Sequence, residues 1–292
     1  MPVFDSLFDV EGKTAIVTGA SAGLGITFAN VLAERGANVV LAARRADRLA
    51  DVERQITDAG GTTVSVACDV GEPDSVAEMV AAAVDRFGGI DILVNNAGIV
   101  ADAGPVREKL PHDLFEETIR VNLLGTWYCC RDVAAVMLAA GNGGSIINIA
   151  SVGGMGGAYE IPPAYQASKA AIINLTRNLA VAWADRGVRV NAIAPGWFWS
   201  EMTEAAFNNP LWRARATGGT PMNKIGDPEE LSGVLLLLAS GAGSYLTGQT
   251  IAVDGGASAT FGAAPPSPEL TELMGKGVPD GLADPIGPDS GS

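Results

Sequence analysis

The stretch VTGASAGLG, residues 17–25, contains residue types that could do either of two kinds of chemistry. Spaced Gly-x-Ser-x-Gly around Ser21, it matches the sharp turn that presents a nucleophilic serine in hydrolytic enzymes. Spaced Thr-Gly-x-x-x-Gly-x-Gly, it is a glycine-rich loop that can bind the phosphates of a dinucleotide. The two interpretations predict different enzymes, so the rest of the chain has to decide between them.

The hydrolase interpretation lacks a partner for Ser21. Such a serine needs an acid and then a histidine later in the chain, and the single histidine, His112, lies beside Pro111 in the polar stretch REKLPHDLFEE. That setting is typical of an exposed side chain at the start of a helix. The phosphate interpretation has a use for each glycine: Gly19 permits the turn, Gly23 lets the backbone approach pyrophosphate, and Gly25 lets the helix pack closely.

A second pair of residues could transfer a proton. Tyr165 and Lys169 are four positions apart, so on a helix they share one face. A phenol has a pKa of about 10 in water, and a nearby ammonium favours the phenolate. We therefore expect Lys169 to lower the pKa of Tyr165 and make it a usable acid and base.

The elements that must position these residues alternate along the chain. Short apolar runs are each followed by a helical pattern, which predicts a doubly wound parallel sheet of about seven strands in an α/β fold, covered by helices on both faces. The predicted strands are KTAIVT, ANVVLAA, TVSVACDV, IDILVNNAG, SIINIAS, RVNAIAPG and QTIAVDGG. We expect one domain over residues 1–261 and a Pro/Gly/Ser-rich tail over 262–292, either mobile or ordered against a neighbouring subunit through Leu270 and Leu273.

Composition narrows the class of protein. The 292 residues carry a formal net charge of −14, which disfavours nucleic acid and anionic membranes as partners. Three cysteines without a CxxC pair, one histidine and no apolar run of about 18 residues predict a cytoplasmic protein with no disulfide framework and no metal site. Cys129 and Cys130 are expected at buried helix positions.

Taken together, the motifs resemble the short-chain dehydrogenase/reductase family over residues 10–257. They are TGASAGLG, Asp69, NNAG at 95–98, Asn122, Ser151, Tyr165-x-x-x-Lys169 and Pro195-Gly196. The resemblance implies a single-domain Rossmann fold and hydride transfer between nicotinamide and a carbonyl carbon. It implies Tyr165 as the acid/base, Lys169 as pKa modifier and ribose ligand, Ser151 as the hydroxyl that polarises the carbonyl, and Asn122 as the residue that holds a water in the proton relay.

The glycine loop and the resemblance together predict the cofactor site. Its residues are Gly19, Ser21, Gly23, Leu24, Gly25, Arg44, Arg45, Asp69, Val70, Asn96, Ala97, Gly98, Tyr165, Lys169, Pro195, Gly196, Phe198 and Ser200. One spacing departs from the family: thirteen residues separate Ser151 from Tyr165 where twelve are usual, and we expect the extra residue in the loop before the helix. Tyr159 could take the tyrosine role instead, but Pro163 stands where its lysine would be.

The end of the second strand predicts which dinucleotide binds. An enzyme that prefers NAD usually has an acidic residue there for the ribose 2′-hydroxyl, whereas this chain has Ala43 followed by Arg44 and Arg45. Guanidinium groups can bind a 2′-phosphate, so we predict NADP(H) in preference to NAD(H), with Arg44 as the main ligand. Arg45 is either the second ligand or a solvated residue at the start of the next helix. Asp47 resembles an N-cap.

We expect the segment 197–226 to be an irregular lobe, and it corresponds to the family's variable substrate lid. It is rich in large apolar residues, which would line a pocket for an apolar or aromatic ketone or pack between subunits: Trp197, Phe198, Trp199, Phe207, Leu211, Trp212 and Met222. Arg213 and Arg215 are either carboxylate ligands or solvated charges.

We therefore predict an NADP(H)-dependent oxidoreductase of a carbonyl or secondary alcohol, which the resemblance suggests is a homotetramer of 222 symmetry. The alternatives are an NAD-dependent alcohol or sugar-acid dehydrogenase and a non-catalytic nucleotide-binding member.

Overall fold

The sheet that organises the chain has seven parallel strands in the order β3-β2-β1-β4-β5-β6-β7. A computed structural model describes residues 7–101, 109–158 and 161–260. The strands are β1 Thr14–Thr18, β2 Asn38–Ala43, β3 Thr62–Ala67, β4 Ile92–Asn95, β5 Gly144–Ile149, β6 Val188–Pro195 and β7 Thr250–Val253. The predicted doubly wound α/β class and strand number are confirmed.

Helices connect the strands and cover the sheet on both sides. They are α1 Leu24–Glu34, α2 Ala46–Asp58, α3 Pro73–Phe87, α4 His112–Ile119, α5 Gly125–Ala140, α6 Pro163–Trp183, α7 Glu201–Phe207, α8 Pro210–Gly218 and α9 Ser232–Ala239. A π-helical segment, Arg120–Leu124, joins α4 to α5. Such segments are frequent at functional sites, because they change the direction in which backbone groups of the helix point.

Each strand sends alternate side chains to opposite faces of the sheet. On one face Phe28 and Leu32 of α1 pack in a fully buried cluster with residues of α2 and α9. On the other face Met79 of α3 and Met137 of α5 pack with residues of α6. Burying one such side chain contributes roughly 1.5–3 kcal/mol, so both helical layers hold the sheet edge that carries the site in a fixed position.

The order in which strands are added to the sheet reverses between β1 and β4. From β1 the chain goes outwards to β2 and β3, and then returns to place β4 on the other side of β1, where Ala15 pairs with Ile92. Connections that leave in opposite directions open a crevice at the carboxyl ends of the two strands. The Thr18 hydroxyl holds this crevice together, because it accepts hydrogen bonds from the N–H groups of Asn96 (3.0 Å) and Ala97 (3.1 Å).

Two local predictions were wrong. The segment after β6, predicted to be an irregular lobe, contains the two short helices α7 and α8. Asp47 lies in the first turn of α2, and the N-cap position is Arg45, which makes no side-chain capping bond. An acidic side chain within the first turn still favours the helix through its dipole.

Cys129 and Cys130 are buried on α5, as predicted. The same helical stretch, His112–Ala140, is long and apolar enough to cross a membrane by length and composition alone. The core helix of a folded domain passes that test too, and here α5 buries Val133, Ala134 and Met137 in the cluster under the sheet. The predicted tail 262–292, with Leu270 and Leu273, lies outside the described residues, and the boundary at 261 stays a prediction.

Candidate active site

A cavity of about 510 Å³ opens at the carboxyl ends of the strands. The loops that follow β1, β2, β3, β4, β5 and β6 all contribute to its wall. Among the predicted residues, those that line it are Gly19, Ser21, Gly23, Leu24, Arg44, Arg45, Asp69, Val70, Asn96, Ala97, Gly98, Ser151, Tyr165, Lys169, Pro195, Gly196, Phe198 and Ser200. Gly25 and Asn122 are the two predicted site residues that are not part of this wall.

The glycine loop has the backbone that its sequence predicts. Gly19 and Gly23 have φ angles of +68° and +55°, a conformation that costs little only for glycine. A Cβ on Gly19 would lie 2.8 Å from Asn96 Nδ2, and a Cβ on Gly25 would overlap the carbonyl oxygen of Gly19. Gly25 therefore does not line the cavity but supports it, because the absence of a side chain lets α1 start directly against the glycine loop.

Ser151 follows β5 and lies beside Tyr165. Its hydroxyl accepts a hydrogen bond from the Gly153 N–H at 3.0 Å and so caps a short 3-10 turn at Val152–Gly154. The Tyr165 hydroxyl, on the first turn of α6, hydrogen bonds with Ser151. Two hydroxyl groups are thus held together at the inner end of the cavity.

Lys169 is one turn further along α6 and is 4% exposed. Its ammonium donates a hydrogen bond to the carbonyl oxygen of Ile149 at 2.7 Å and lies 5.6 Å from the centroid of the Tyr165 ring. Burial lowers the pKa of Lys169 to about 8, because a charged group loses its hydration there.

The pKa of Tyr165 differs from the expectation. Burial raises it, and the hydrogen bond with Ser151 lowers it by less. Lys169, whose ammonium donates to Ile149, is not among the groups that shift the Tyr165 pKa in this geometry, and its role as pKa modifier stays a prediction. Tyr165 is therefore a protonated phenol at neutral pH.

Asn122 lies in the π-helical segment and is fully buried. Its side-chain nitrogen donates to the Ile99 carbonyl (3.0 Å) and to Ser168 Oγ (3.2 Å), and its oxygen accepts from the Ile99 N–H (2.8 Å). A Cβ on Gly98 would lie 3.3 Å from that oxygen and 3.6 Å from Lys169 Nζ. The amide thus fixes the loop after β4 beside the lysine, and its part in a proton relay stays a prediction.

Gln166 positions the loop between Ser151 and Tyr165, a role that the sequence analysis missed. Its amide accepts from the Ala158 N–H at 2.8 Å and donates to the carbonyls of Ala158 (2.9 Å) and Ile161 (2.7 Å). The loop is therefore fastened to the turn of α6 that carries the tyrosine. Tyr159, the alternative tyrosine, lies outside the described residues.

The end of the cavity beside β2 and β3 contains charged residues of both signs. Asp69 accepts from the Gly71 N–H at 2.9 Å and lies 3.4 Å from an Arg120 nitrogen. Ala43 lines the cavity at the end of β2, where an NAD enzyme usually has its acid. Arg44 is exposed and forms no ion pair within the described part of the chain.

Arg45 pairs with Glu201, although the sequence predicted it to be either a ligand of the 2′-phosphate or a solvated residue. Its two terminal nitrogens donate to the two carboxylate oxygens of Glu201 at 3.0 and 2.9 Å, and its Nε lies 3.4 Å from Ser21 Oγ. Arg48 donates to the same carboxylate at 2.9 Å. A bidentate pair of this kind has strong directional preference, and it joins α2 to the first residue of α7.

The aromatic residues of the lid mostly contact one another. Phe207 is 1% exposed and meets the rings of Trp197 and Trp199 edge to face, at centroid distances of 6.0 and 5.1 Å. Leu211, Trp212 and Met222 are exposed. Of the seven predicted apolar lid residues only Phe198 lines the cavity, and Phe207 instead borders a second space of about 500 Å³ with Arg213.

The sequence did not single out several further apolar residues that line the cavity, among them Ile99, Val100, Val121 and Met202. Ile99 and Val100 follow NNAG directly, so their position after the fourth strand was a usable signal. Val121 and Met202 carried none, because only the fold brings the π-helical segment and α7 to this cavity.

The family model described as enoyl-(acyl carrier protein) reductase matches residues 19–258. The chain belongs to the short-chain dehydrogenase/reductase family. It is 39% identical to the 3beta-hydroxysteroid dehydrogenase 1 of Eggerthella lenta, over 85% of this chain and 94% of that protein. It is 36% identical to the L-rhamnose 1-dehydrogenase (NAD(P)(+)) of Azotobacter vinelandii, over 84% and 96%. A gluconate 5-dehydrogenase structure from Burkholderia cenocepacia J2315, in complex with NADP and tartrate, superimposes with a TM-score of 0.83 at 35% identity, covering 88% and 99% of the two chains.

The residues of this short-chain dehydrogenase/reductase fit a nicotinamide dinucleotide. The backbone of Gly19 and Gly23 lines the cavity without side chains, and α1 starts directly after it at Leu24, so the first N–H groups of the helix suit a phosphate. Ser21, the serine of the hydrolase interpretation, has Arg45 as its side-chain partner, and His112 is exposed at the start of α4. The chain is therefore an oxidoreductase of the short-chain type, as the resemblance implied.

Proposed function

We propose that this protein is an NADP(H)-dependent reductase of an apolar or aromatic ketone, with Tyr165 as its acid/base. The observation that carries the proposal is the position of Ser151, Tyr165 and Lys169 on one wall of the cavity that also contains the glycine loop. A bound nicotinamide dinucleotide would supply the hydride. The protein then has to hold the carbonyl and provide one proton.

The side chains of the inner wall can perform both tasks. Ser151 donates a hydrogen bond to the substrate oxygen, and Tyr165 gives its proton to the same oxygen as negative charge develops there. Tyr165 is a protonated phenol before the reaction begins, as the reduction direction requires. Lys169 contributes a buried positive charge beside the ring, and Asn122 holds the adjoining loop in register.

The preference for NADP(H) rests on the end of β2. Ala43 offers no carboxylate for a ribose 2′-hydroxyl, and Arg44 has no ion pair among the described residues that would compete for it. A guanidinium that is free to move can bind a 2′-phosphate through parallel hydrogen bonds. The NADP in the Burkholderia cenocepacia structure supports this choice.

The substrate proposal rests on the apolar part of the cavity wall. Ile99, Val100 and Met202 line the cavity together with Tyr165 and Ser151, and a site of that kind gains most from burying hydrocarbon. The steroid named for the Eggerthella lenta relative is consistent with it. The second candidate, an NAD(P)-dependent sugar dehydrogenase, is favoured by the rhamnose named for the Azotobacter vinelandii relative.

We further infer that residues 1–261 act as one catalytic domain in a cytoplasmic homotetramer, without nucleic acid or membrane partners. Large apolar side chains at the surface support the assembly: Val181 on α6 is 84% exposed, and Tyr245 is fully exposed. Covering such side chains between subunits would remove apolar surface from water.

The proposal is tested by following absorbance at 340 nm with NADPH and NADH, each against aryl ketones, diketones, steroids and sugar acids. We expect turnover of apolar ketones with NADPH, and a loss of about 10²–10⁴-fold in kcat/KM for Tyr165→Phe. Tyr245→Phe, which removes an exposed hydroxyl, is the matched control and should leave turnover unchanged. Oxidation of sugars or sugar acids with NAD⁺ alone would favour the second candidate, and full activity of Tyr165→Phe would refute the acid/base role.

A further inference from the structure

Glu201 places a carboxylate at the phosphate end of the cavity. It is the first residue of α7, it lines the cavity, and it belongs to none of the motifs of the family. Its two oxygens accept from Arg45 at 3.0 and 2.9 Å, and one of them also accepts from Arg48 at 2.9 Å. These bonds lower the pKa of Glu201 to about 2, so the carboxylate is ionised at every ordinary pH.

These contacts connect two segments of the cavity wall that are far apart in the sequence. Arg45 directly precedes α2, whereas Glu201 begins α7, 156 residues later. Next to Glu201, the Ser200 side chain lies close enough to the glycine loop that a Cβ on Gly23 would be 3.2 Å from it. The start of α7 is therefore held against both the phosphate loop and the arginines.

The hydrogen-bonding capacity of Arg45 is already occupied. Both terminal nitrogens contact Glu201, and Nε faces Ser21 at 3.4 Å. A phosphate that is to bind Arg45 in the same bidentate way has to displace the carboxylate first. Each side chain is about half exposed, 42% for Arg45 and 45% for Glu201, so the pair can open, and a phosphate of higher charge can compete for the arginine.

We propose that Glu201 is a specificity-determining residue that competes with the cofactor's 2′-phosphate for Arg45. The carboxylate weakens NADP(H) binding because it occupies the guanidinium that the phosphate would bind. With NAD(H), which has no 2′-phosphate, the pair stays intact and keeps the lid closed. Glu201 thereby reduces the preference of the protein for NADP(H) over NAD(H). This inference rests on the proposed cofactor site at Arg44 and Arg45.

The test is a pair of dissociation constants, for NADPH and for NADH, measured on the substrate-free protein by the fluorescence of the reduced nicotinamide. We expect Glu201→Gln to tighten NADPH about three- to tenfold and to leave NADH unchanged or weaker. The matched control is Glu204→Gln, which removes an acid from the first turn of the same helix and breaks no ion pair among the described residues. Thermal unfolding of each variant checks that the fold is intact.

A second background separates competition from a general effect on the lid. In Arg45→Gln, the added Glu201→Gln change should alter NADPH binding less than twofold, because the competed guanidinium is gone. The fragments 2′,5′-ADP and 5′-AMP, which carry no nicotinamide, should reproduce the contrast between the two cofactors. An equal change for both cofactors, or the same gain in the Arg45→Gln background, would overturn the inference.

The Arg44→Gln variant keeps this test distinct from the proposed function. If Arg44→Gln weakens NADPH selectively while Glu201→Gln changes nothing, the cofactor proposal stands and the competition is refuted. If the unmodified protein binds NADH more tightly and Arg44→Gln has no selective effect, the proposed cofactor site itself fails.

Discussion

The ammonium of Lys169 lies 2.7 Å from the carbonyl oxygen of Ile149. Ile149 is the last residue of β5, and Ser151 follows it by two positions. The same strand end therefore fixes both the serine and the lysine, one through the chain and the other through a hydrogen bond. Because the lysine also belongs to the helix of Tyr165, this bond sets how the two hydroxyl groups face each other.

The buried lysine predicts a pH-dependent stability. Its pKa is about 8 in the folded protein against an ordinary value of 10.5, so between these values the unfolded chain holds a proton that the folded chain has released. The destabilisation caused by burying the charged Lys169 is therefore fully present below about pH 8. It disappears as the pH rises towards 10.5, so the free energy of unfolding rises across this range. Relative to Lys169→Met, the free energy of unfolding should rise on the order of 3 kcal/mol from the lower to the upper limit.

Urea unfolding of both proteins at a series of pH values measures this difference, and groups common to both cancel. Lys224→Met is the control, because Glu230 raises the pKa of Lys224 and the difference should have the opposite sign. A difference between wild type and Lys169→Met that stays flat with pH would show that the folded protein does not depress this pKa.

Arg44 should determine how much the 2′-phosphate contributes to the affinity for NADPH. Removing its guanidinium in Arg44→Gln deletes charge-assisted hydrogen bonds worth about 1.5–3 kcal/mol, which corresponds to roughly a tenfold or greater loss of NADPH affinity. NADH should bind unchanged. Arg35→Gln, an exposed arginine at the end of α1, is the control. Equal weakening of both cofactors would mean that Arg44 does not read the phosphate.

Gly25 should tolerate no side chain. In Gly25→Ala the new methyl would meet the Gly19 carbonyl oxygen and lie 2.7 Å from Asn96 Nδ2, so α1 has to move from the loop. We expect the free energy of unfolding to fall by about 1–3 kcal/mol and both cofactors to bind more weakly. Gly233→Ala, with no atom within 4 Å of the new methyl on α9, should be neutral or stabilise by up to about 1 kcal/mol. Unaltered stability in Gly25→Ala would contradict the packing role.

The proposed tetramer should be visible by sedimentation at micromolar concentration as a species of four chains. Val181→Lys places a charge at an apolar side chain that is 84% exposed in the single chain. If subunits cover it, burial of that charge should dissociate the assembly. A monomer for the unmodified protein would refute the tetramer.

The strands were predictable because both faces of a parallel sheet are covered, so that runs such as IVT and VVLAA read as continuously apolar. The sequence holds both boundary signals of α3, since Pro73 marks its first turn and Gly88 its end. The two lid helices were missed although the sequence holds their start signals. Ser200 forms a capping box with Thr203, and Asn209 caps the helix that begins at Pro210.

Two features of the site depend on tertiary structure and carried no local signal. Arg45 and Glu201 are 156 residues apart, so no spacing rule could pair them. The spacing of Tyr165 and Lys169 correctly predicted a shared helix face, but not that the ammonium would turn to Ile149 and that burial would raise the pKa of the phenol.

Because Trp197 and Trp199 pack edge to face on Phe207, intrinsic tryptophan fluorescence reports on the lid. Two of the chain's five tryptophans lie where α7 ends against the segment after β6, and the Arg213 guanidinium lies 5.1 Å from the Trp199 ring centroid. Any movement of α7 changes the surroundings of both indole rings. Opening and closing of this segment can therefore be followed in real time by the protein's own emission, with no label attached.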